Sequence, residues 1–467
     1  MMMLRKTMTQ RVSRHMATMM TKRKSLNTFT CSTSTSTSTL TSTSSRPMLR
    51  VQAQAPTLFN PQIRSMSTAD FENNTHHSSS SVLPITQFTE DEILVQQTVR
   101  NHAQQTILPI VRSMESNKCI PREPIIQFLF DNGYMGLEIP SQYGGSEMSF
   151  TSSCIVVEEL SKVDPSVALL VDIQNTLVNN AVRFWGSDEL QSEILPKLAL
   201  DTVASFCLSE ASSGTDAFSM LTKATVSEDG SYYTIDGSKL WISHAREAGI
   251  FLVFANVDHS LGYRGITAFV VDADSEGVHV GPSESKLGLQ ATSTCPVTFD
   301  NVKVDAGRVL GEVGKGYRYC IEILNEGRIG IGAQQVGIAK GCMDIVMPYL
   351  FERKQFGKYV GDFQGMQHQY AQLMTEIHAA EVMLYNACRR KENGLPFIKE
   401  ASMVKLYSSQ VAEKVTSKCI ELLGGVGFTT DFLVEKFYRD CKVGQIYEGT
   451  SNIQLQTIAK IIKTEYE

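Results

Sequence analysis

The chain lacks most of the motifs that would point directly to a function. No apolar run in its 467 residues approaches the ~20 needed to cross a bilayer as a helix, so no transmembrane segment is expected. Its ten cysteines lie far apart with no C-x-x-C pair, and Cys207, Cys320 and Cys388 sit among apolar neighbours. That pattern reads as reduced core residues rather than a disulfide framework. The nine histidines show no H-E-x-x-H or comparable spacing, so no metal site is expected. No Walker-type loop occurs, and no G-x-G-x-x-G follows a strand pattern. The nearest candidate, Gly327-Arg-Ile-Gly-Ile-Gly332, falls within a helical stretch, where small residues mean close helix packing.

Acidic residues are missing from the first 69 positions, which hold ten Lys or Arg. Arg5, Lys6, Arg11, Arg14, Lys22, Arg23 and Lys24 crowd the front, Ser and Thr alternate from Ser32 to Ser45, and the first acid is Asp70. Residues 1–66 therefore read as a mitochondrial presequence and disordered linker, and the expected location is the mitochondrial matrix. A basic tail could also bind nucleic acid. Without these ten residues, however, 33 Lys and Arg face 49 Asp and Glu, a formal charge of −16, so no nucleic-acid partner is expected.

At roughly 150 residues per domain, the length suggests about three domains. Thr89-Glu-Asp-Glu92 has the form of a capping box, followed by Val95, Val99, Ala103, Ile107 and Ile110 at helical spacing. Helical character continues through Cys154–Leu160 and Gln191–Leu200, broken at Pro140-Ser-Gln-Tyr-Gly-Gly145. The texture then changes to short β-rich runs, Tyr232–Ile235, Ile250–Ala255, Ile266–Val271 and Val297–Phe299, punctuated by Glu228-Asp-Gly230 and Asp236-Gly237. From Gly316 helical patterns return, most clearly at Met366, Tyr370, Leu373, Ile377, Ala380, Leu384 and Ala387. The expected organisation is an N-terminal all-α domain over 86–203, a middle β-barrel or sandwich over 204–305 and a C-terminal α domain over 314–467.

Two constellations carry chemistry. In Ile446-Tyr-Glu-Gly-Thr-Ser-Asn-Ile-Gln454, Gly449 and Thr450 free the backbone just before Ile453, Ile458, Ile461 and Ile462 begin a helical pattern. Glu448 then stands on the loop before a helix, a place for a general base; the plainer role is to complement the helix dipole. The Gly424-Gly425-x-Gly427 cluster follows an apolar helix. It either caps that helix or lets a flat or phosphorylated ligand approach the main chain.

The run Glu421-x-x-Gly-Gly-x-Gly-Phe-x-x-Asp431-x(4)-Lys436-x(3)-Asp440 resembles the C-terminal signature of the acyl-CoA dehydrogenases. Cys207-Leu-Ser-Glu-Ala-Ser-Ser-Gly-Thr-Asp216 resembles that family's flavin-binding signature, and the likeness extends from about Thr86 to the end. The resemblance implies an α+β fold whose C-terminal domain is a four-helix bundle, and FAD as cofactor. The implied FAD contacts begin with Phe206, Cys207, Leu208, Ser209, Glu210, Ala211, Ser212, Ser213, Gly214 and Thr215, together with Trp241, Ile242 and Ser243. Arg353 and Gln364 match positions that reach FAD across a subunit interface, and Glu421, Leu422, Leu423, Gly424, Gly425, Thr450, Ser451 and Asn452 complete the set. An arginine suits such a place because its fork can pair two phosphate oxygens.

For acyl-CoA the resemblance points to Thr215, Tyr263, Tyr317, Asn325, Glu326, Gly327, Arg328 and Gly449, with Arg328 holding a polar part of the CoA arm. Glu448 would take the α-proton while the β-hydrogen leaves as hydride to the flavin. Some relatives supply the base from the helix at the position of Gly327. Glu326 is adjacent, but one residue turns a helical side chain by about 100°, so it should point away from the substrate α-carbon. The segments Thr292-Ser-Thr-Cys-Pro-Val-Thr-Phe299, Leu324-Asn-Glu-Gly-Arg-Ile-Gly-Ile331 and Pro396-Phe-Ile-Lys-Glu-Ala-Ser-Met403 resemble members acting on short, 2-methyl-branched acyl chains such as 2-methylbutyryl. The implied partners are acyl-CoA, electron-transferring flavoprotein and three further copies in a homotetramer. Two rivals use the same fold: an acyl-CoA oxidase passing electrons to oxygen, and a non-catalytic member acting in respiratory-complex assembly.

Overall fold

In the computed structural model, which describes residues 84–467, the first helix begins where the sequence places its cap. Thr89 Oγ1 accepts the Glu92 amide at 3.3 Å, and Glu92 Oε2 accepts the Thr89 amide at 2.9 Å, so two end donors are satisfied reciprocally. The presequence and linker expected over 1–66 lie outside the described residues.

The N-terminal region is helical: α1 (Glu90–His102), α2 (Val111–Asn117), α3 (Gln127–Asp131), α4 (Phe150–Ser161), α5 (Pro165–Asp172), α6 (Asn180–Trp185) and α7 (Asp188–Leu200). Every residue of α4 and α5 is buried, Glu158, Glu159 and Asp172 included. Between α5 and α6 the helix widens to a π-type segment, Ile173–Asn179, which periodicity did not forecast. Such wide turns gather at functional sites.

The middle region is an eight-stranded sheet. Its strands are β1 (Val203–Cys207), β2 (Lys223–Val226), β3 (Tyr232–Ser243), β4 (Ala248–Asn256), β5 (Ile266–Asp272), β6 (Val278–Val280), β7 (Thr294–Asp305) and β8 (Val309–Leu310). The order is β6-β7-β3-β2-β4-β5-β8, with β1 pairing parallel to β4. Phe251, Phe269 and Phe299, all buried, pack one face. The long β3–β7 ladder slips register between Lys239 and Ile242, leaving Leu240 and Trp241 out of the pairing.

Helices return as α8 (Gly316–Leu350), α9 (Gln364–Glu392), α10 (Ile398–Leu423), α11 (Val434–Cys441) and α12 (Ser451–Tyr466). Leu373, Ile377, Ala380, Leu384 and Ala387 of α9 are buried, as their spacing predicts. The apolar spacing of α12 behaves differently. Only Gln454 of that helix is buried; of its expected stripe Ile453, Ile458 and Ile461 are half-covered and Ile462 faces outward among the described residues.

The glycines of α8 serve close packing, as the sequence suggests. A Cβ on Gly332 would stand 2.3 Å from Val404 Cγ1 of α10, and one on Gly330 would meet the carboxylate of Asp172 at the end of α5. This contact sets α8 against the helices that present the site.

Candidate active site

A cavity of about 300 Å³ opens where three regions meet: the π-type segment, the β1 and β3 strand ends, and the loop before α12. Ile173 and Leu177 come from the first, Phe206, Leu208, Ser209, Gly214, Thr215, Trp241, Ile242 and Ser243 from the second, and Tyr447, Glu448 and Gly449 from the third. Arg328, Leu324 and Ile321 reach it from α8. The lining is largely apolar with a few convergent polar groups, as small-molecule sites usually are.

Glu448 stands on the loop that precedes α12, whose N-cap is Thr450. Its backbone is in the left-handed region, φ 53°, followed by Gly449 at 89°. A residue with a Cβ adopts that conformation only where its surroundings impose it. The residue as a whole is only partly covered, yet its Oε2 is fully buried and has no hydrogen-bond partner. Burial pushes the carboxyl up to about 7, against the pull of the Lys405 and Arg328 cations.

Those cations come from two helices. Lys405 of α10, wholly buried, donates to the Gly449 carbonyl at 2.6 Å, and burial brings its ammonium down to about 8. Arg328 donates to Asn325 Oδ1 at 2.7 Å and leaves its buried Nε unpartnered. Asp172 lies on the other side, fully buried, with one oxygen accepting the Thr176 hydroxyl and the other free. Burial, and after it the neighbouring Glu448, keep its carboxyl well above the ordinary range.

Gly327 explains how Glu448 fits against α8. A Cβ there would stand 2.2 Å from Glu448 Oε2 and 2.8 Å from Leu177 Cδ2. The helix thus has no side chain at the position against which the carboxylate oxygen packs.

The β3 irregularity shapes the opposite wall. Trp241 sits in the register slip with φ 64° and is 61% exposed, so its indole stands open over the cavity rather than in the core. Bulges commonly re-aim side chains in this way. Gly214 has open space where a Cβ would be, with nothing within 4 Å. Ser209, Thr215 and Ser243 add hydroxyls to the wall. An aromatic face, hydroxyls and open main chain together fit a planar, hydrogen-bonding cofactor such as FAD.

Several residues named from the sequence stand elsewhere. Glu326 is turned away from the cavity into a buried cluster, where its Oε2 accepts Asn180 Nδ2 at 2.8 Å and lies 3.1 Å from Lys391 Nζ. The helical rotation relative to Gly327 accounts for this, and Glu326 is not a lining residue. Glu210 pairs with the buried Lys239 at 2.8 Å and accepts the Leu221 and Thr222 amides, so it braces the loop rather than facing a ligand. Cys207 is buried in the sheet core, and Ala211, Ser212 and Ser213 do not line the cavity. Asn325 is buried beneath Arg328. Tyr263 and Tyr317 meet edge to face at 4.8 Å, and Tyr317 packs on Phe218 of the cavity wall, forming an aromatic rim. Arg353, Gln364, Glu421, Leu422, Leu423, Gly424, Gly425, Thr450, Ser451 and Asn452 do not line the cavity of this single chain.

Sequence reasoning missed Ile173, Leu177 and Phe218 in the lining, and Lys405, Asp172 and Gln454 behind it. Lys405 sits within helical periodicity, and nothing in its local sequence marks it.

Among known families, the model described as acyl-CoA dehydrogenase, N-terminal domain, matches residues 89–201, the middle domain matches 205–302 and the C-terminal domain matches 314–463. The chain is 55% identical over 383 residues to the mitochondrial short/branched chain specific acyl-CoA dehydrogenase of Rattus norvegicus, covering 82% of this chain and 88% of that protein. It is 52% identical over 389 residues to the probable short/branched chain specific acyl-CoA dehydrogenase of Dictyostelium discoideum, covering 83% and 94%. Among solved structures, the butyryl-CoA dehydrogenase of Megasphaera elsdenii is similar, with a TM-score of 0.79 and 32% identity over 81% of this chain and 99% of that one.

Proposed function

We propose that this chain, which belongs to the acyl-CoA dehydrogenase family and is an FAD-dependent oxidoreductase of acyl-CoA thioesters, α,β-dehydrogenates short and 2-methyl-branched acyl chains such as 2-methylbutyryl. The observation that carries the chemistry is the unpartnered, buried Glu448 Oε2 at the wall of a largely apolar cavity. The substrate class is supported by the names of the relatives from Rattus norvegicus and Dictyostelium discoideum, which are also dehydrogenases rather than oxidases.

FAD, when bound, supplies the hydride acceptor. Glu448 takes the α-proton. That proton is weakly acidic, so the thioester oxygen needs donors placed in advance. The Glu448 amide, which donates to no protein acceptor among the described residues, supports such a role. A carboxyl held near 7 is partly ionised at working pH and still basic enough to accept a proton. Ile173, Leu177 and Leu324 exclude water around the acyl chain, and Arg328, at the cavity edge, holds a polar part of the CoA arm.

Residues 86–203, 204–305 and 314–467 are proposed as the three domains of this enzyme. Arg353, Gln364 and the Glu421–Gly425 turn are proposed to reach FAD bound to a neighbouring copy in a homotetramer, which accounts for their absence from the single-chain cavity. Residues 1–66 are proposed to direct the protein to the mitochondrial matrix, in line with the mitochondrial relatives, and electron-transferring flavoprotein is the proposed acceptor. The test is anaerobic mixing of purified protein with a panel of acyl-CoAs while flavin bleaching is followed. Reduction is expected to be fastest with 2-methylbutyryl-CoA and short straight chains; a clear preference for palmitoyl-CoA would overturn the substrate class.

A further inference from the structure

The turn that carries Glu448 is gripped from the side away from the cavity. Glu448 and Gly449 are consecutive left-handed residues, and both of their carbonyls are taken up by buried side chains that do not line the cavity. Gln454 Nε2, in the first turn of α12, donates to the Glu448 carbonyl at 3.1 Å and to the Gly449 carbonyl at 2.9 Å. Lys405 Nζ, from α10, donates to the Gly449 carbonyl at 2.6 Å. Both residues are completely buried.

Gln454 already supplies a neutral donor to this turn. A lysine in the same place must lose its hydration, which a single carbonyl does not offset. The compensating charge is the Glu448 carboxylate, the one anion that raises the proton affinity of Lys405. The groups that face Glu448 are Lys405 from α10, Arg328 and Cys320 from α8, Asp172 from the end of α5 and Tyr447 from its own loop. Only Lys405 and Arg328 among them are cations, and Arg328 lies at the cavity wall while Lys405 lies behind the turn.

We propose that Lys405 and Gln454 are positioning residues that clamp the Glu448–Gly449 turn, with Gln454 fixing its shape and Lys405 both fixing it and keeping the carboxylate ionised. The proposal rests on the reading of Glu448 as the base. Removal of the Lys405 charge leaves Glu448 with a higher proton affinity, so the base ionises only at higher pH. Removal of the Gln454 donors misplaces the carboxylate without changing its charge balance.

The experiment uses the FAD-loaded enzyme as Lys405→Met and Gln454→Met, with Lys405→Gln as a second charge-free variant that keeps a donor. Two quantities are measured across pH: the rate of anaerobic flavin reduction by 2-methylbutyryl-CoA, and the Glu448 carboxyl titration from infrared difference spectra against Glu448→Gln. Both lysine variants should raise the Glu448 midpoint by about one unit or more, with reduction slower by about fivefold or more near neutrality that recovers as pH rises. Gln454→Met should leave the midpoint in place and slow reduction at every pH. A midpoint unchanged in Lys405→Gln, or shifted equally in Gln454→Met, overturns the clamp. If Glu448→Gln itself reduced flavin as fast as the parent, the base assignment would fail instead, so the two failures are distinguishable.

Discussion

At the scale of single residues, the absent side chain of Gly327 makes room for Glu448, the carboxylate proposed as the base. Its Cβ position is 2.2 Å from Glu448 Oε2, closer than any Cβ contact can be, so Gly327→Ala must push the base or the adjoining Leu177 aside. Displacements of about 1 Å at reacting groups can cost on the order of 10²-fold. Gly327→Ala is therefore expected to slow flavin reduction markedly while FAD content and the denaturant midpoint change little; an unaltered rate would show that Glu448 has room to spare. A pH dependence follows from the same carboxyl. Glu448 accepts a proton only when ionised and is held up at about 7, so the rate of reduction should rise as pH climbs through that value and level off above it. A rate profile flat from pH 6 to 8 contradicts this. Glu448 and the turn of Glu326 away from it were legible in sequence, the one from the Gly-Thr after it and the family motif, the other from the 100° step of a helix. Lys405 and Asp172 were not, because the turn and the acid beside them are far away in sequence, and Gln454 was not, because its partners are backbone carbonyls that no side-chain pattern marks.

At the scale of elements, the longer helices and four of the eight strands, β3, β4, β5 and β7, followed from periodicity and caps, and two of the departures shape the site. The expected run Tyr232–Ile235 extends to Ser243 in β3, and its register slip turns Trp241 outward, which alternation alone could not foretell. The π-type segment that carries Ile173 and Leu177 is equally invisible in the pattern. The C-terminal signature itself divides into two roles. Its Gly424-Gly425 pair is open to the surface, while Gly427, Lys436 and Asp440 are buried and structural. Lys436 Nζ lies 3.0 Å from Asp164 Oδ2, in the cap of α5, and 2.5 Å from Asp440 Oδ2, whose other oxygen accepts the Leu289 amide. That cluster joins the N-terminal helices, the segment before β7 and α11. Lys436→Met leaves two buried acids facing each other, and a loss of about 3–5 kcal/mol is expected from urea unfolding of the FAD-loaded protein. A loss under about 1 kcal/mol would mean that the triad is not needed to join these elements.

At the scale of the whole molecule, one chain leaves much apolar surface uncovered. Phe356 is 95% exposed, Phe428 and Tyr466 are each 88% exposed, and α12 buries only Gln454 of its sixteen residues. On α12 the exposed Leu455, Ile462 and Tyr466 recur at helical spacing on one face, a connected apolar surface of the kind that marks an interaction site, which supports the proposed homotetramer. Arg353→Ala should then weaken FAD retention, since an arginine fork on phosphate contributes about 2 kcal/mol or more. Equal FAD affinity in variant and parent would remove Arg353 from the cofactor site. The central claim is that Glu448, and not the neighbouring helix, supplies the base. Rapid anaerobic mixing of the assembled enzyme with 2-methylbutyryl-CoA tests it directly by following flavin bleaching in Glu448→Gln and Glu326→Gln. Glu448→Gln should bind FAD and acyl-CoA yet reduce flavin ~10²-fold or more slowly, the scale expected for loss of a general base, and Glu326→Gln should lose far less. Abolished reduction in Glu326→Gln with near-normal reduction in Glu448→Gln would contradict the account.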